Sequence, residues 1–574
     1  MQSVKSLFFA LLPLWIQIIK TWNRSGMSGF MIYAVVIGIA GGLSASVFRE
    51  AQFDILWLTS GTCNDIVELA QKLPPWQLIA VPTLGGLIAG SFLWLSHRLS
   101  KQGEFHDYLE SIQLGNGVIP IRSSVAKLVS SIISITSGAS IGREGGMVQL
   151  ASLSASCLGR LTYPSVAQLR LMVACGAAAG MSAAYNTPIA GALFIAEIVV
   201  GTLAIEALGP LLISSWTANI VMQHWIGMTP VFDLPEYARH IHVDLDRVFV
   251  LGILAGFFAP TLLVVLDLAK RFFNSLSLPV PLRLALGGLV VGVISIKVPE
   301  VWGNGHQVAE LILSSELTKE FVLLVLVMKL LATAASFGSG TVGGIFTPTL
   351  MMGASMGWLY SQHFNMQGGA EVAYAAVGMG ALLSATTLAP FMAIVMVFEL
   401  TMDTNLIFPL GIACLTARYV SAGIRDKSVY QKASGTTKRP KIPFHIHAVE
   451  ILTPRIPTVS ASSNLADATF QALRSGSLMQ WVVDDKNVYQ GCLRLDKLPV
   501  ASKGSGAHTF PVLSCIDHHL PSLMRYTHLT DAYRLMSVHR LDRLPLIDEN
   551  GVLLGEVRKN DIMLTLSFSS KQSW

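Results

Sequence analysis

The sequence predicts an all-α polytopic membrane protein of tilted and broken helices, followed by a C-terminal α/β region. Three observations predict this class. Of the 574 residues, 52% are hydrophobic and only 13% are charged, whereas soluble domains carry about 25% charged residues. Apolar segments close to spanning length recur up to about residue 422. The two halves of this apolar part also repeat each other. A large soluble protein with buried helices is the alternative that these observations disfavour.

The apolar segments are uneven in length and often interrupted. They lie near 28–48, 76–97, 123–136, 147–158, 169–184, 188–222, 247–267, 283–297, 320–337, 344–361, 371–399 and 404–422. Several are shorter than the roughly 20 residues that a straight crossing needs, and many contain Gly or Pro. This pattern is typical of tilted, broken and re-entrant helices rather than of a simple up-and-down bundle.

Charge and cysteine content exclude several classes of function. The net charge is +5, and no clustered basic face of the kind that binds nucleic acid occurs. The six cysteines are scattered without a Cys-x-x-Cys pair, so neither a disulfide framework nor a metal site is predicted. No Ser/His/Asp, His-Glu-x-x-His or paired-Asp arrangement supports an enzyme.

The two ends of the chain flank the apolar part. We interpret residues 1–27 as an amphipathic helix at the membrane surface, because no small-residue cleavage site follows the apolar run 7–19. Residues 424–445 form a basic linker, and positive charge next to a membrane end marks the cytoplasmic side. Residues 446–574 alternate strand-like and helix-like runs, as a soluble α/β domain does. The sequence therefore predicts a multi-pass protein of the inner (cell) membrane, embedded in the lipid bilayer, with both termini cytoplasmic.

A gap-free internal repeat relates the two halves at an offset of 202 residues. The recurring features are Lys127-Leu128 with Lys329-Leu330, Ser137-Gly138 with Ser339-Gly340, Gly142 with Gly344, Gly176 with Gly378, Ser182-Ala183 with Ser384-Ala385, Pro188 with Pro390, and Glu197 with Glu399. Repeated halves are typical of transporters whose substrate site lies at the repeat interface near the membrane midplane. In this repeat Glu144 falls opposite Phe346.

The stretch 137–146 carries an ionisable pair, Arg143 and Glu144, among glycines. Ionisable residues inside a membrane are costly and therefore usually functional. The glycines indicate a broken helix whose free backbone N–H groups can face an anion. A second such helix start follows Gly344, and each start brings about half a positive charge. Two converging N-termini without a carboxylate cage favour an anion over a cation.

These motifs resemble those of the CLC family of chloride channels and chloride/proton antiporters. The matching positions are Gly142, Arg143, Glu144 and Gly145 in the gating-glutamate motif, Gly344 and Pro348 in the Gly-x-Phe-x-Pro motif, and Tyr430 at the anion-contacting tyrosine. The resemblance covers roughly residues 28–432. It implies a CLC-type transport domain over 28–423, built from inverted repeats, and a homodimer with one pore per subunit.

The resemblance also implies roles for individual residues. The backbone N–H groups of Ile345 and Phe346 and the hydroxyl of Tyr430 would bind the central anion. Glu144 would be the gate, because its ionised carboxylate competes with chloride for an anion site and its protonated form swings away. Chloride is the expected partner, joined by protons if the protein is an antiporter.

Of three departures from the family pattern, the one at Gly146, where the gating motif has proline, is modest, and the other two bear on anion binding and proton movement. The Gly-Ser-Gly-Ile-Pro motif, which gives a serine to the anion, falls near Gly103, where neither serine nor proline occurs. The lookalike at 115–120 lies too close to Glu144 in register. The inner proton-relaying glutamate of the antiporters corresponds to Ile198, and an isoleucine cannot carry a proton. The departure at Ile198 favours channel-like conduction gated by Glu144, with proton-coupled chloride antiport as the alternative.

The C-terminal region resembles a pair of CBS modules, at about 448–500 and 511–570. Such pairs often bind adenosine nucleotides. Gly555 and Asp561 match that family's nucleotide pattern, while Arg558 stands at its hydroxyl position. An adenine nucleotide is therefore the one candidate cofactor. A membrane-tethered CBS sensor without transport is the remote alternative, which the complete set of pore motifs disfavours.

Two more pairs of charged residues recur in the repeat. Glu197 and Glu399 hold equivalent positions in the two halves, which indicates roles in helix-end packing or capping. For Lys127 and Lys329 we expect snorkelling to the membrane surface or anchoring at the interface.

Overall fold

The computed structural model describes most of the chain from residue 27 to residue 562. The described residues are 27–61, 65–99, 107–113, 115–162, 166–201, 203, 205–226, 231–232, 235, 243–314, 317–366, 369–425, 428, 430, 447–453, 456–475, 479–494, 511–518, 520–539, 541–559 and 561–562. The chain forms two compact units. One consists of 34–157 and 172–437, and we call it the membrane unit. The other consists of 1–33, 158–171 and 438–574, and we call it the C-terminal unit. Nearly all of the expected N-terminal helix, Gly103, and residues 431–445 of the basic linker lie outside the described residues.

The described part of the chain before residue 426 contains seventeen α-helices. In chain order they are α1 (Met27–Ser60), α2 (Ile66–Lys72), α3 (Pro75–Leu99), α4 (Tyr108–Gln113), α5 (Ile121–Thr136), α6 (Glu144–Arg160), α7 (Val166–Tyr185), α8 (Pro188–Phe194), α9 (Ile205–Ile226), α10 (Leu245–Ser275), α11 (Val280–Ser295), α12 (His306–Ser314), α13 (Lys319–Ser339), α14 (Phe346–His363), α15 (Ala370–Thr387), α16 (Pro390–Thr401) and α17 (Ile407–Ile424). A π-helical turn, Ile195–Val200, continues α8, and short 3₁₀ turns lie at Pro299–Val301 and Thr404–Leu406.

Local sequence sets several of these boundaries. The Asp65 side chain accepts the Val67 N–H at 2.8 Å and so caps the start of α2. Pro188 and Pro390 stand at the first positions of α8 and α16, where a missing N–H costs nothing. At the end of α13, Gly340 adopts a left-handed conformation (φ 96°) that favours glycine.

Six helices among the described residues are long and apolar enough to cross a membrane. They cover Phe30–Thr59, Pro75–Ser96, Val166–Tyr185, Leu245–Ser275, Lys319–Ser339 and Thr404–Ile424. Shorter apolar helices lie at Pro188–Val200, Val280–Ser295 and Pro390–Thr401. The mixture of long spans and short interrupted helices confirms the expected multi-pass protein with broken helices.

The sequence repeat is also a structural repeat. The series α5 to α8 recurs as α13 to α16, and Glu144 and Phe346 begin the corresponding helices α6 and α14. Before these helices, Gly138 (φ 94°) and Gly340 (φ 96°) share the same left-handed backbone conformation. The two copies meet at Gly142 and Gly344, which exchange two backbone hydrogen bonds of 2.7 and 3.0 Å in an antiparallel bridge. The halves are therefore inverted with respect to each other.

Helices α3 and α11 pack against each other in antiparallel orientation. A side chain at Gly90 would meet Pro281 at the start of α11, whereas one at Gly292 would meet Ile79 near the start of α3. Small residues at such crossings let helix backbones approach closely in membrane proteins. The C-terminal end of α3 therefore lies beside the N-terminal start of α11.

The C-terminal unit contains two copies of a strand–helix–strand–strand motif. The first is β1 (Thr458–Ser460), α18 (Leu465–Ser475), β2 (Met479–Val483) and β3 (Tyr489–Arg494), with β4 (Ile516–Asp517) added at the edge. The second is β5 (Leu523–Met524), α19 (Leu529–Val538), β6 (Arg543–Ile547) and β7 (Leu553–Arg558). In both, the first strand pairs parallel and the third antiparallel to the middle strand.

The two copies in the C-terminal unit contact each other symmetrically. Val488 and Val552 form an antiparallel bridge, and the Tyr489 N–H donates to Gly551 at 2.9 Å. Each copy has its own apolar core, around Val482 and Leu493 in the first and around Leu544 and Val557 in the second. This confirms the α/β character expected for the C-terminal region.

Candidate functional site

The Glu144 carboxylate lies at the N-terminus of α14 in the opposite half of the repeat. Its side chain is 4% exposed. Oε1 accepts the Phe346 N–H at 2.9 Å and the Thr347 N–H at 3.4 Å, and Oε2 accepts the Thr347 hydroxyl at 3.4 Å. Free N–H groups at a helix start bind anions, and the helix dipole favours negative charge there. The carboxylate therefore stands where a small inorganic anion would be held.

The motif glycines make room for this carboxylate. A Cβ atom at Gly142 or at Gly344 would overlap the Glu144 side chain. Gly145 backs onto the main chain of Gly343, so a Cβ there would be tightly crowded at 3.2 Å. The glycines thus permit both the approach of the two halves and the seating of the carboxylate between them.

A threonine and a tyrosine that the sequence did not single out also support this seat. Thr347 donates to Glu144, and its hydroxyl lies 2.6 Å from the hydroxyl of Tyr185. Thr347 could have been noticed, because it lies inside the Gly344–Pro348 stretch. Tyr185 ends α7, far from both motifs in the sequence, and only the fold brings it to the site.

Aromatic rings cluster around Phe346, whose backbone N–H binds the carboxylate. The Phe346 ring lies 5.1 Å from Tyr185 and 5.9 Å from Phe194, measured between ring centroids. Tyr430 packs edge-on against Phe194 with 5.3 Å between ring centroids. The predicted anion ligands Ile345, Phe346 and Tyr430 are therefore brought together, whereas Gly103 lies outside the described residues. An apolar aromatic wall lowers the local dielectric and strengthens hydrogen bonds to an anion.

A cavity of about 440 Å³ leads to this site, and we call it the basic cavity. Its lining includes Glu144, Ile345 and Tyr430, together with the basic side chains Lys127, Lys270 and Arg283. Besides Glu144, Asp107 is the one acidic residue among the described lining residues. A cleft with an excess of positive charge concentrates anions from solution.

A second, small cavity of about 130 Å³ is lined by Arg143 together with Asp65, Thr136 and Asn304. On α5, Lys127 borders the basic cavity while Thr136 borders the small cavity. Nine residues of helix separate them by about 14 Å. Arg143 and Glu144, although adjacent in the chain, thus line different cavities.

The paired glutamates Glu197 and Glu399 cap helices reciprocally across the repeat. Glu399 accepts the Ile189 N–H at 2.9 Å and the Ala190 N–H at 2.8 Å at the start of α8. Glu197 accepts the Met392 N–H at 2.9 Å at the start of α16. The predicted capping role is confirmed for both residues. Ile198, beside Glu197, is 4% exposed and lies in the π-helical turn that continues α8.

The expectation for Lys329 was wrong. Its side chain is fully buried, and Nζ donates to the carbonyls of Val301 at 3.0 Å and Gly303 at 2.9 Å. Lys329 therefore holds the 3₁₀ segment before α12 in place rather than reaching the surface. Lys127, its counterpart in the repeat, is partly exposed at the wall of the basic cavity. Identical residues at equivalent positions thus have different environments.

The lookalike segment 115–120 is not part of the site. Ser156, near the far end of α6, bonds the Ile119 N–H at 3.0 Å and the Gly117 carbonyl at 2.9 Å. Twelve residues separate Ser156 from Glu144 along this helix, which is about 18 Å. None of the described residues that line the basic cavity comes from 115–120.

In the C-terminal unit, the candidate nucleotide residues lie at the end of the second motif. Gly555 packs closely on the Thr453 carbonyl, and Asp561 is fully buried. Arg558, at the hydroxyl position of the family pattern, donates to Glu556 at 2.9 Å. Glu556 also accepts the indole N–H of Trp481 at 2.9 Å. Arg558 is therefore already engaged within the unit.

Comparison with known proteins finds a family match in each of the two units. The profile of the voltage-gated chloride channel family matches residues 85–422, and that of the CBS domain matches residues 514–567. The chain is 46% identical over 408 residues to a ClcB-like chloride channel protein of Ralstonia nicotianae, covering 70% of this chain and 95% of that protein. It is 37% identical over 410 residues to the voltage-gated ClC-type chloride channel ClcB of Citrobacter koseri, covering 70% and 98%.

Among solved structures, the chain is similar to the crystal structure of a slow cyanobacterial Cl⁻/H⁺ antiporter. The TM-score is 0.61 at 26% sequence identity, and the match covers 71% of this chain and 97% of that one. Proteins named as channels and a protein described as an antiporter thus share this architecture.

Proposed function

The chain belongs to the voltage-gated chloride channel (CLC) family, and we propose that it lets chloride cross the membrane passively through a pore gated by Glu144. Channel-like conduction is the leading form of this proposal. Proton-coupled chloride antiport is the alternative, and a membrane-tethered CBS sensor is a remote third.

The observation that carries the proposal is the seat of the Glu144 carboxylate. A buried carboxylate with hydrogen bonds from Phe346 and Thr347 lines the basic cavity. Chloride resembles that carboxylate in charge and in its need for hydrogen-bond donors. The gate is thus a side chain that occupies an anion site and must leave before an anion can enter.

The gating cycle follows from this competition. Chloride enters the basic cavity, drawn by Lys127, Lys270 and Arg283. A proton that reaches Glu144 neutralises its charge and weakens the bonds from the helix start. The side chain then moves out, and chloride takes the N–H groups near Ile345 and Phe346, next to the Tyr430 hydroxyl. Flux should therefore rise as the pH falls.

Channel-like conduction and proton-coupled antiport differ in whether protons can cross the protein. Ile198 has no group that can bind a proton, and the neighbouring Glu197 accepts the Met392 N–H as a helix cap. These facts support channel-like conduction. The intact gate and the likeness to an antiporter structure support antiport. Both forms use the same anion site.

Purified protein in liposomes, with chloride and proton movements recorded together, tests the proposal. Wild type should carry chloride with no uphill proton movement, and its flux should increase as the pH falls. Glu144→Gln, which cannot ionise, should conduct at all pH values. Glu320→Gln is the matched control, because Glu320 is exposed at the start of α13.

Each outcome decides between the alternatives. Proton pumping driven by a chloride gradient would replace the channel form by antiport. A Glu144→Gln variant with the pH profile of wild type would overturn the gate assignment. Absence of anion flux in every variant would leave the sensor alternative.

We also propose that the protein is a homodimer of the inner membrane with cytoplasmic termini and a CBS pair at 448–570. Family membership and the basic residues after 424 support this arrangement. Particle masses in nanodiscs would test the dimer, and a protease added outside intact cells would test the topology.

An adenine nucleotide is the proposed ligand of the C-terminal unit, at Gly555 and Asp561. The presence of a CBS domain supports it, whereas the Arg558–Glu556 pair weakens it. Titration of the full-length protein with ATP and AMP, against Asp561→Asn, would test the site. Heat of binding in wild type that is lost in the variant is the expected result.

A further inference from the structure

Tyr108 begins α4 on the wall of the basic cavity, the same cavity that Glu144 and Tyr430 line. Building on the proposed function, we propose that its phenol hydroxyl is a second hydroxyl donor to the permeating anion, in addition to that of Tyr430. In this role Tyr108 is an anion-binding residue that sets anion affinity and selectivity.

The surroundings of Tyr108 point to this role. The residue is only 7% exposed, and it lines the same cavity as Glu144 and Tyr430. Tyr108 therefore borders the cavity that contains the gate. Within the described part of the chain, no residue hydrogen-bonds to its hydroxyl. A phenol O–H on the wall of this cavity can donate a hydrogen bond to an anion in the pathway.

Gln149 fixes the position of Tyr108. Its side chain is 5% exposed, its Oε1 accepts the Tyr108 N–H at 3.0 Å, and its Nε2 donates to the Ser124 hydroxyl at 3.0 Å. Gln149 lies five residues after Glu144 on α6, about 7.5 Å along the helix. One side chain thus links the starts of α4 and α5 to the helix that carries the gate, which makes Gln149 a positioning residue.

The sequence around Tyr108 supports the same assignment. No serine or threonine occurs between residues 101 and 110, so this segment has no aliphatic hydroxyl to offer. The first hydroxyl in that segment is the phenol of Tyr108. A tyrosine stays neutral at pH 7 and donates a single directional bond. Two phenols, from Tyr108 and Tyr430, can therefore bind one chloride without adding a fixed charge.

Substitution by phenylalanine removes only the hydroxyl and keeps the ring. A hydrogen bond to a charged partner is worth enough that its loss lowers affinity by about 10-fold or more. Tyr108→Phe, made in the Glu144→Gln background so that the carboxylate does not compete, should weaken chloride binding by this factor in calorimetry. It should also alter the order of affinities among chloride, bromide and nitrate.

Tyr360→Phe is the matched control. Tyr360 is also a buried tyrosine, but its hydroxyl donates to the Arg247 carbonyl at 3.1 Å, away from the cavity. This variant should bind chloride as the background does. Tyr108→Ser should recover part of the lost affinity, which a purely structural role of the ring would not produce.

Fluorotyrosine incorporated at position 108 keeps the inference testable if Tyr108→Phe does not fold. A more acidic phenol donates a stronger bond, so chloride affinity should increase. Unchanged affinity in Tyr108→Phe or in the fluorinated protein would overturn the inference. Failure of the Glu144→Gln background itself to bind and conduct chloride would instead overturn the proposed function, so the two failures are distinguishable.

Discussion

Replacing Glu399 with alanine should destabilise the contact between the two halves of the membrane unit. The carboxylate is 8% exposed and accepts the N–H groups of Ile189 and Ala190 at 2.9 and 2.8 Å. These groups follow Pro188 in the first turn of α8, where no helical carbonyl can accept them. The substitution therefore leaves two donors at this helix start without an acceptor, the buried N–H of Ala190 and the partly buried N–H of Ile189.

The magnitude follows from this geometry. A fully buried N–H without an acceptor costs about 1–3 kcal/mol, so the two together cost at most about 2–6 kcal/mol, with the partly buried Ile189 N–H contributing less than that of Ala190. Removing the carboxylate also removes the desolvation penalty of a buried charge, which offsets part of this loss. We expect a destabilisation of about 2–4 kcal/mol for Glu399→Ala. Glu399→Gln keeps one acceptor oxygen, and we expect about half of that loss.

Thermal unfolding of the purified protein in detergent, followed by tryptophan fluorescence, measures the effect. The apparent melting temperature should decrease from wild type to Glu399→Gln to Glu399→Ala. Glu320→Gln, at an exposed site, should stay within about 0.5 kcal/mol of wild type. A Glu399→Ala protein that melts together with wild type would refute the reasoning, and so would one more stable than Glu399→Gln.

Three further predictions concern the same unit. Lys329→Met should lower the free energy of unfolding by about 1–3 kcal/mol, and with it the melting temperature, because two buried carbonyls lose their donor. An unchanged melting temperature would contradict the anchoring role. Gly344→Ala should displace the Glu144 side chain and give liposome flux that no longer depends on pH; a wild-type pH profile would contradict the seat. Lys270→Met should reduce single-channel or liposome chloride flux several-fold at low salt and little at high salt, since screening removes the attraction. Lys297→Met, an exposed lysine that does not line the basic cavity, is its control; equal effects of both would contradict local steering.

The internal repeat is the reason that the sequence predicted so much of the site. Because Glu144 and Phe346 occupy equivalent positions, the repeat alone indicated that two helix starts face each other, and the structure places the carboxylate on the Phe346 N–H. The capping roles of Glu197 and Glu399 were predictable on the same ground. A residue type that recurs at equivalent helix ends in both halves has a structural role in the fold.

The features of the site that the sequence did not predict depend on contacts that the internal repeat does not reveal. Lys329 is buried because the carbonyls of Val301 and Gly303 approach it, and the sequence gives no sign of that approach. Tyr185 reaches Thr347 across 162 residues of sequence. Tyr108 borders the cavity because Gln149 holds its main chain. Each of these is a tertiary contact between residues far apart in sequence, which local pattern cannot reveal.

The hydrogen bonds across the repeat bear on how fast the pore can open. The Gly142–Gly344 bridge and the caps made by Glu197 and Glu399 tie the halves at separate points, so a rocking motion would have to break all of them together. Collective motions of that kind take microseconds to milliseconds, whereas side chains change rotamer in picoseconds to nanoseconds. The Glu144 side chain alone can vacate its seat with the frame intact. We therefore expect the opening rate to be limited by the arrival of protons and chloride at the gate, and not by rearrangement of the backbone around it.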